Sequence, residues 1–60
     1  MTGAAQKRQR VLVIEDYQDT AESLRAFLLL YGHEVKVAYD GASGVEVARE
    51  WEPDVVISDI

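Results

Sequence analysis

Two stretches of this chain end an apolar run on carboxylates. Val11-Leu12-Val13-Ile14 stops at Glu15-Asp16, and Val55-Val56-Ile57-Ser58 stops at Asp59. Like charges brought to one place repel each other, and a bound cation relieves that cost. Oxygen-only ligands suit a hard divalent ion. Mg²⁺ commonly takes one or two carboxylates and completes its octahedron with waters and phosphate oxygens. A carboxylate beside such an ion can also act as nucleophile toward a phosphoryl group, giving an aspartyl phosphate. The metal then neutralises charge on the equatorial oxygens during in-line transfer. The plainer reading is that these acids only end strands and cap the helices that follow. The fold decides between the two, by bringing the three acids together or leaving them apart.

Other chemistries lack their residues. There is no Cys, which excludes a disulfide, a zinc-thiolate site and thiol catalysis, and the single His33 cannot assemble a multi-histidine metal site. Eleven acids against six bases leave a net charge of -5. No basic face is visible after Arg10, so direct nucleic-acid binding by this segment is not expected. The longest apolar run, Ala26 to Tyr31, is too short to cross a bilayer. Residues 1–10 carry bases but no apolar stretch ahead of a cleavage site, so no signal peptide is expected and the cytoplasm is the default compartment. At 60 residues the chain is shorter than an ordinary domain. Its 48% hydrophobic content nevertheless suits a folded chain.

Several elements must position the acids. Residues 1–9 are small and polar with no apolar period, and read as a flexible leader or linker. Val11–Ile14 is apolar on both faces, the mark of a buried strand in a parallel sheet. From Asp19 to Tyr31 the period becomes helical. Leu24, Leu28 and Tyr31 share a face flanked by Ala21 and Phe27, with Asp19 and Glu22 in the first turn and Gly32 as the left-handed stop. Val35 and Val37 alternate with Glu34 and Lys36, a half-polar edge strand over 34–39. Asp40-Gly41 breaks it. Val45, Ala48 and Trp51 mark a second helix over 43–51, closed by Pro53; Gly44 inside it is either a frayed turn or a close approach to the sheet. Val55–Ile57 is the second doubly apolar strand.

The order strand, helix, strand, helix, strand implies parallel strands joined by right-handed crossovers. The two most apolar strands belong side by side, which puts the first between the second and the third. The expected fold class is therefore α/β, a flavodoxin-like doubly wound parallel sheet shortened to β-α-β-α-β with order 2-1-3. Its winding reverses at the first strand, where ligands bind at the carboxyl ends in such sheets. Glu15, Asp16 and Asp59 fall at those ends.

Four pieces of the chain in register now resemble a known family. Val11-Leu12-Val13-Ile14-Glu15-Asp16, Gly32-His33-Glu34-Val35, Ala38-Tyr39-Asp40-Gly41 and Pro53-Asp54-Val55-Val56-Ile57-Ser58-Asp59 look like the first half of a response-regulator receiver domain of two-component signalling. The resemblance runs from about Arg10 to Ile60. It implies that Asp59 is the phosphoacceptor, that Asp16 is a direct ligand of Mg²⁺ (or Mn²⁺) together with Asp59, and that Glu15 acts largely through water. It implies a histidine kinase or histidine phosphotransfer domain as partner, an output domain outside this chain, and a signalling module rather than an enzyme. The family's remaining site groups, a Ser/Thr and a Lys on later strands, have no counterpart up to Ile60. Residues 10–60 are thus expected to be the amino-terminal part of a receiver, incomplete at the carboxyl end.

Two other functions compete with a phosphoacceptor. One is an interaction fragment of the same fold that cannot be phosphorylated. The other is a flavin- or nucleotide-binding half-domain, disfavoured because no glycine-rich phosphate loop follows Ile14. Elsewhere, His33 reads as a surface turn residue with no partner base, and Trp51 as the end of an apolar stripe. Leu29 and Leu30 fall off the Leu24–Leu28 stripe, as exposed leucines or as part of a docking face.

Overall fold

The computed structural model describes residues 8–59. Most of the expected leader, residues 1–7, and the final Ile60 lie outside the described residues. The elements run β1 (Arg10–Ile14), α1 (Gln18–Leu30), β2 (Glu34–Ala38), α2 (Gly41–Trp51) and β3 (Val55–Ser58). Both strand pairs are parallel and the sheet order is β2-β1-β3, as the burial asymmetry of the three runs predicts. Val11 faces Val35 on one side and Val55 on the other, and Ile14 faces Ala38 and Ser58. Both helices lie against β1 and β2 and do not touch each other. Right-handed crossovers running in opposite directions, β1 to β2 and then β2 back past β1 to β3, put the two helices on opposite faces of the sheet.

The core is centred on β1. Leu12 and Val13 have no exposed surface and Val11 almost none, joined by Ala21 of α1 and Ala38 of β2. Among the described residues no helix reaches β3, which touches β1 alone of the elements. Val56 and Ile57, on opposite faces of that strand, are accordingly 49% and 36% exposed.

Both helix stripes differ from the expected ones. Ala21 is buried in α1 and Leu24 and Leu28 are half-buried, but Phe27 and Tyr31 face outward, with ring centroids 4.9 Å apart. Only β1 and β2 lie beneath α1, so a narrow stripe is all the sheet can cover. The helix ends as expected: Gly32 has φ 90°, its N–H donates to the Leu29 carbonyl (2.9 Å), and the His33 N–H donates to Leu28 (3.2 Å). This pair of bonds is the Schellman stop.

The second helix begins two residues before the expected Ser43, because Asp40 caps it. The Asp40 carboxylate accepts the Ser43 N–H at 2.7 Å. Its inward face is Gly44, Val47, Ala48 and Trp51, while Val45 is 55% exposed. Gly44 hides this phase in the sequence, since it contributes no apolar side chain. A Cβ on Gly44 would stand 2.5 Å from Ile14 Cδ1, 2.9 Å from Cγ1 and 3.3 Å from Cγ2. Gly44 is therefore a close approach of helix to sheet, not a frayed turn. Two branches of Ile14 crowd the position, so no single rotamer change clears it. Overpacking of this kind costs about 1–3 kcal/mol, of which better helix propensity returns about 1. Gly44→Ala should lower stability in urea by up to about 2 kcal/mol, and the loss should vanish in an Ile14→Ala background. A loss that persists there would mean the helix approach is set by something other than Ile14.

The cap also titrates. The backbone hydrogen bond from Ser43 holds the Asp40 carboxyl below its ordinary value of 3.8. A lowered folded value means the ionised form is favoured by folding. The contribution is thus complete above pH ~4 and is lost as pH falls through the lowered value. Asp40→Asn keeps a side-chain acceptor but has no proton to take up. The stability difference between the native chain and Asp40→Asn should therefore be constant from pH 7 to about 5 and shift against the native chain below pH ~4. A difference that stays flat down to pH ~2.5 would remove the charge from the argument.

Candidate functional site

The carboxyl ends of β1 and β3 are joined where the acids begin. The Glu15 N–H donates to the Ala38 carbonyl at 3.0 Å, and the Asp59 N–H donates to the Ile14 carbonyl at 3.1 Å. Both ladders of β1 therefore continue one step beyond the strand. Glu15-Asp16 and Asp59 stand on adjacent strand ends, at the reversal of winding between β2 and β3. That much matches the sequence expectation.

The side chains are not equivalent. Asp16 and Asp59 are exposed, whereas Glu15 is 5% exposed. Glu15 Oε2 accepts the Tyr17 N–H at 2.9 Å. This bond satisfies a buried carboxylate oxygen and shapes the turn from β1 into α1, whose entry residue Tyr17 makes no side-chain cap. Among the described residues, no three His, Cys, Asp or Glu side chains stand together as a ready metal cage. The three-carboxylate convergence expected from the sequence is thus a convergence of backbone positions. Two exposed carboxylates remain, and these suit Mg²⁺, which needs only one or two. Asp16 and Asp59 could hold it directly, with Glu15 reaching it through water.

The end of β2 adds groups that spacing in the sequence does not reveal. The Tyr39 hydroxyl donates to Glu22 Oε2 at 2.9 Å, and Glu22 Oε1 lies 3.5 Å from Arg25. The hydrogen bond to the Glu22 carboxylate raises the Tyr39 phenol above 10.0. Glu22, expected to serve the first turn of α1, instead clasps that helix to the β2–α2 turn. At the opposite end of the sheet, Arg10 and Asp54 hold β1 and β3 together. The Asp54 N–H donates to the Arg10 carbonyl (2.8 Å), and the Arg10 N–H donates to Asp54 Oδ2 (2.8 Å). The Arg10 guanidinium also donates to the Trp51 carbonyl (2.8 Å). Lys36 lies over the Trp51 ring, 5.3 Å from its centroid. Trp51 closes the inward stripe of α2, as expected, and at that position shields the polar face of β2.

No family model matches the chain, and no solved structure matches it significantly. Curated proteins do. Protein PilH of Pseudomonas aeruginosa is 41% identical over 51 residues, which is 85% of this chain and 42% of PilH. Transcriptional regulatory protein PrrA of Mycobacterium leprae is 45% identical over 51 residues, 85% of this chain and 22% of PrrA. The protein of the same name from Mycobacterium tuberculosis gives the same figures. These relatives are response regulators. The chain is similar to part of these response regulators, which supports the reading of a receiver-domain fragment. It spans less than half the length of PilH and less than a quarter of PrrA. The 2-1-3 parallel order is consistent with that similarity. No helix among the described residues is long and apolar enough to cross a membrane.

Proposed function

We propose that this receiver segment accepts a phosphoryl group on Asp59 within a two-component phosphorelay. The donor is a histidine kinase or a histidine phosphotransfer domain. The observation that carries the reading is the Asp59 N–H to Ile14 carbonyl bond, which ties the nucleophile's backbone to the strand that leads into Glu15-Asp16. In the transfer, the phosphorus–nitrogen bond of a phosphohistidine breaks and a bond from an Asp59 carboxylate oxygen to phosphorus forms. Asp16 and Asp59, with Glu15 acting through water, would hold Mg²⁺ or Mn²⁺, which would supply charge neutralisation for the phosphoryl oxygens. The protein is itself the modified species and so is a signalling module in the cytoplasm rather than an enzyme. Any output comes from other parts of the protein or from a partner.

The other reading, an interaction fragment that is never phosphorylated, draws on the burial of Glu15 and its bond to Tyr17. A metal titration separates the two. Mg²⁺ should move the amide resonances of Asp16, Tyr17 and Asp59 selectively, and Asp16→Asn should weaken the affinity at least tenfold. Shifts spread evenly over the surface, or an affinity that ignores Asp16→Asn, would favour the unphosphorylated fragment.

A further inference from the structure

His33 is not the unpartnered turn residue that the sequence suggests. It is half-buried, and its Nδ1 accepts the backbone N–H of Gln9 at 3.1 Å. The sheet geometry explains why an imidazole is used there. The Glu34 N–H donates to the Gln9 carbonyl at 2.9 Å, and Arg10 stands opposite Glu34 in the parallel register. In a parallel ladder the Gln9 N–H would next bond the carbonyl of residue 32. Gly32 is already in the left-handed turn, with φ 90°. The His33 ring nitrogen takes the place of that carbonyl. Only a neutral ring with its proton on Nε2 can accept there. A protonated imidazole carries N–H on both nitrogens and would meet the Gln9 N–H donor to donor.

We infer that His33 is a pH-operated tie. Neutral, it holds the Gln9 N–H against the α1–β2 turn; protonated, it frees that N–H while the Gln9 carbonyl stays bonded to the Glu34 N–H and β1 stays paired from Arg10 onward. Few other groups can mask the effect. Glu34 is its chain neighbour and pairs with Arg8 at 3.7 Å, with both side chains well exposed. Such a pair holds little by itself. Arg10, opposite Glu34, is engaged by Asp54 and by the Trp51 carbonyl. The last turn of α1, Leu28–Leu30, presents carbonyls and no charged side chain. Imidazoles as a class change charge between about pH 5 and 8.

Amide hydrogen exchange on the full chain tests this, with Val13 as the internal measure that the fold is intact. After correction for intrinsic rates, protection of Gln9 relative to Val13 should fall about 2- to 12-fold between pH 8 and 5, the range expected for one lost hydrogen bond. The Gln9 amide resonance should move with the same midpoint as the His33 ring protons. In His33→Asn, Oδ1 takes the place of Nδ1 and protection should no longer depend on pH. In His33→Phe, Gln9 should be unprotected throughout. A Gln9 resonance that is flat across the His33 titration overturns the proposal from the unmodified chain alone. A pH dependence that survives in His33→Asn would overturn it too, and would assign the effect to the Arg8–Glu34 pair.

Discussion

A form of the protein that carries a whole receiver domain is expected to take up one phosphoryl group from a small acyl phosphate in the presence of Mg²⁺, and to lose that uptake entirely as Asp59→Asn, whereas residues 1–60 alone should take up little or none. Intact-mass measurement reads the result directly as one added phosphate, and EDTA should abolish it. The argument rests on what each acid is free to do. Asp59 is exposed on the last residue of the β3 ladder, with its backbone N–H fixed to Ile14. Asp16 is exposed on the neighbouring strand end, whereas Glu15 is buried and already bonded to the Tyr17 N–H. Under the function proposed above, Asp59 would be the nucleophile and Asp16 the acid that shares a metal with it. An amide in place of the Asp59 carboxylate cannot form the acyl phosphate. Asp16→Asn should slow uptake without moving the modified position. Labelling that survives Asp59→Asn would show that another residue is the acceptor.

The second large effect is on stability. Leu12 sits at the middle of the middle strand, between Lys36 and Val56 in register, with no exposed surface. Truncation of such a side chain typically costs about 2–5 kcal/mol, from lost transfer energy and the cavity left behind. Small folded chains hold roughly 0.05–0.15 kcal/mol per residue, so the whole 60-residue chain should have about 3–9 kcal/mol. Leu12→Ala should therefore remove much of the cooperative urea transition, while Val56→Ala on the uncovered strand should change it by less than about 1 kcal/mol. Comparable losses at the two positions would mean that β3 is covered in solution by something the isolated fold does not show.

The features legible in the sequence were those written in consecutive residues or in one helical period. Val11–Ile14 and Val55–Ile57 announce themselves as doubly apolar runs, and their contrast with the half-polar Glu34–Ala38 is enough to order the sheet, although only the first of them is buried on both faces. The acids follow from the runs, because a residue just past a strand must stand at that strand's end. What escaped depends on side-chain direction or on partners far away in the chain. Glu15 and Asp16 are adjacent and chemically alike, yet the strand's alternation turns one inward and leaves the other in water. The Tyr39–Glu22 clasp and the Gln9–His33 tie join residues 17 and 24 positions apart, with no local signal at either end. The Val45 error has a different cause. A glycine marks the inward face of α2 by its lack of a side chain, and hydrophobic periodicity cannot register that.

The attachment of β3 to β1 alone also sets an order of events. The β1–β2 end closes over about 24 residues, as between Gln9 and His33, whereas Arg10 reaches Asp54 across 44. Longer closure is entropically dearer and slower, and here no helix packs on the incoming strand to compensate. β2 and α1 should thus assemble on β1 first, with β3 zipping on last and detaching first. Asp59 rides on that strand, so the chemistry of the site is conditional on the least cooperative step of folding. A binding partner that covers Val56 or Ile57 would then control how much of the time the nucleophile is in place, without touching a single carboxylate.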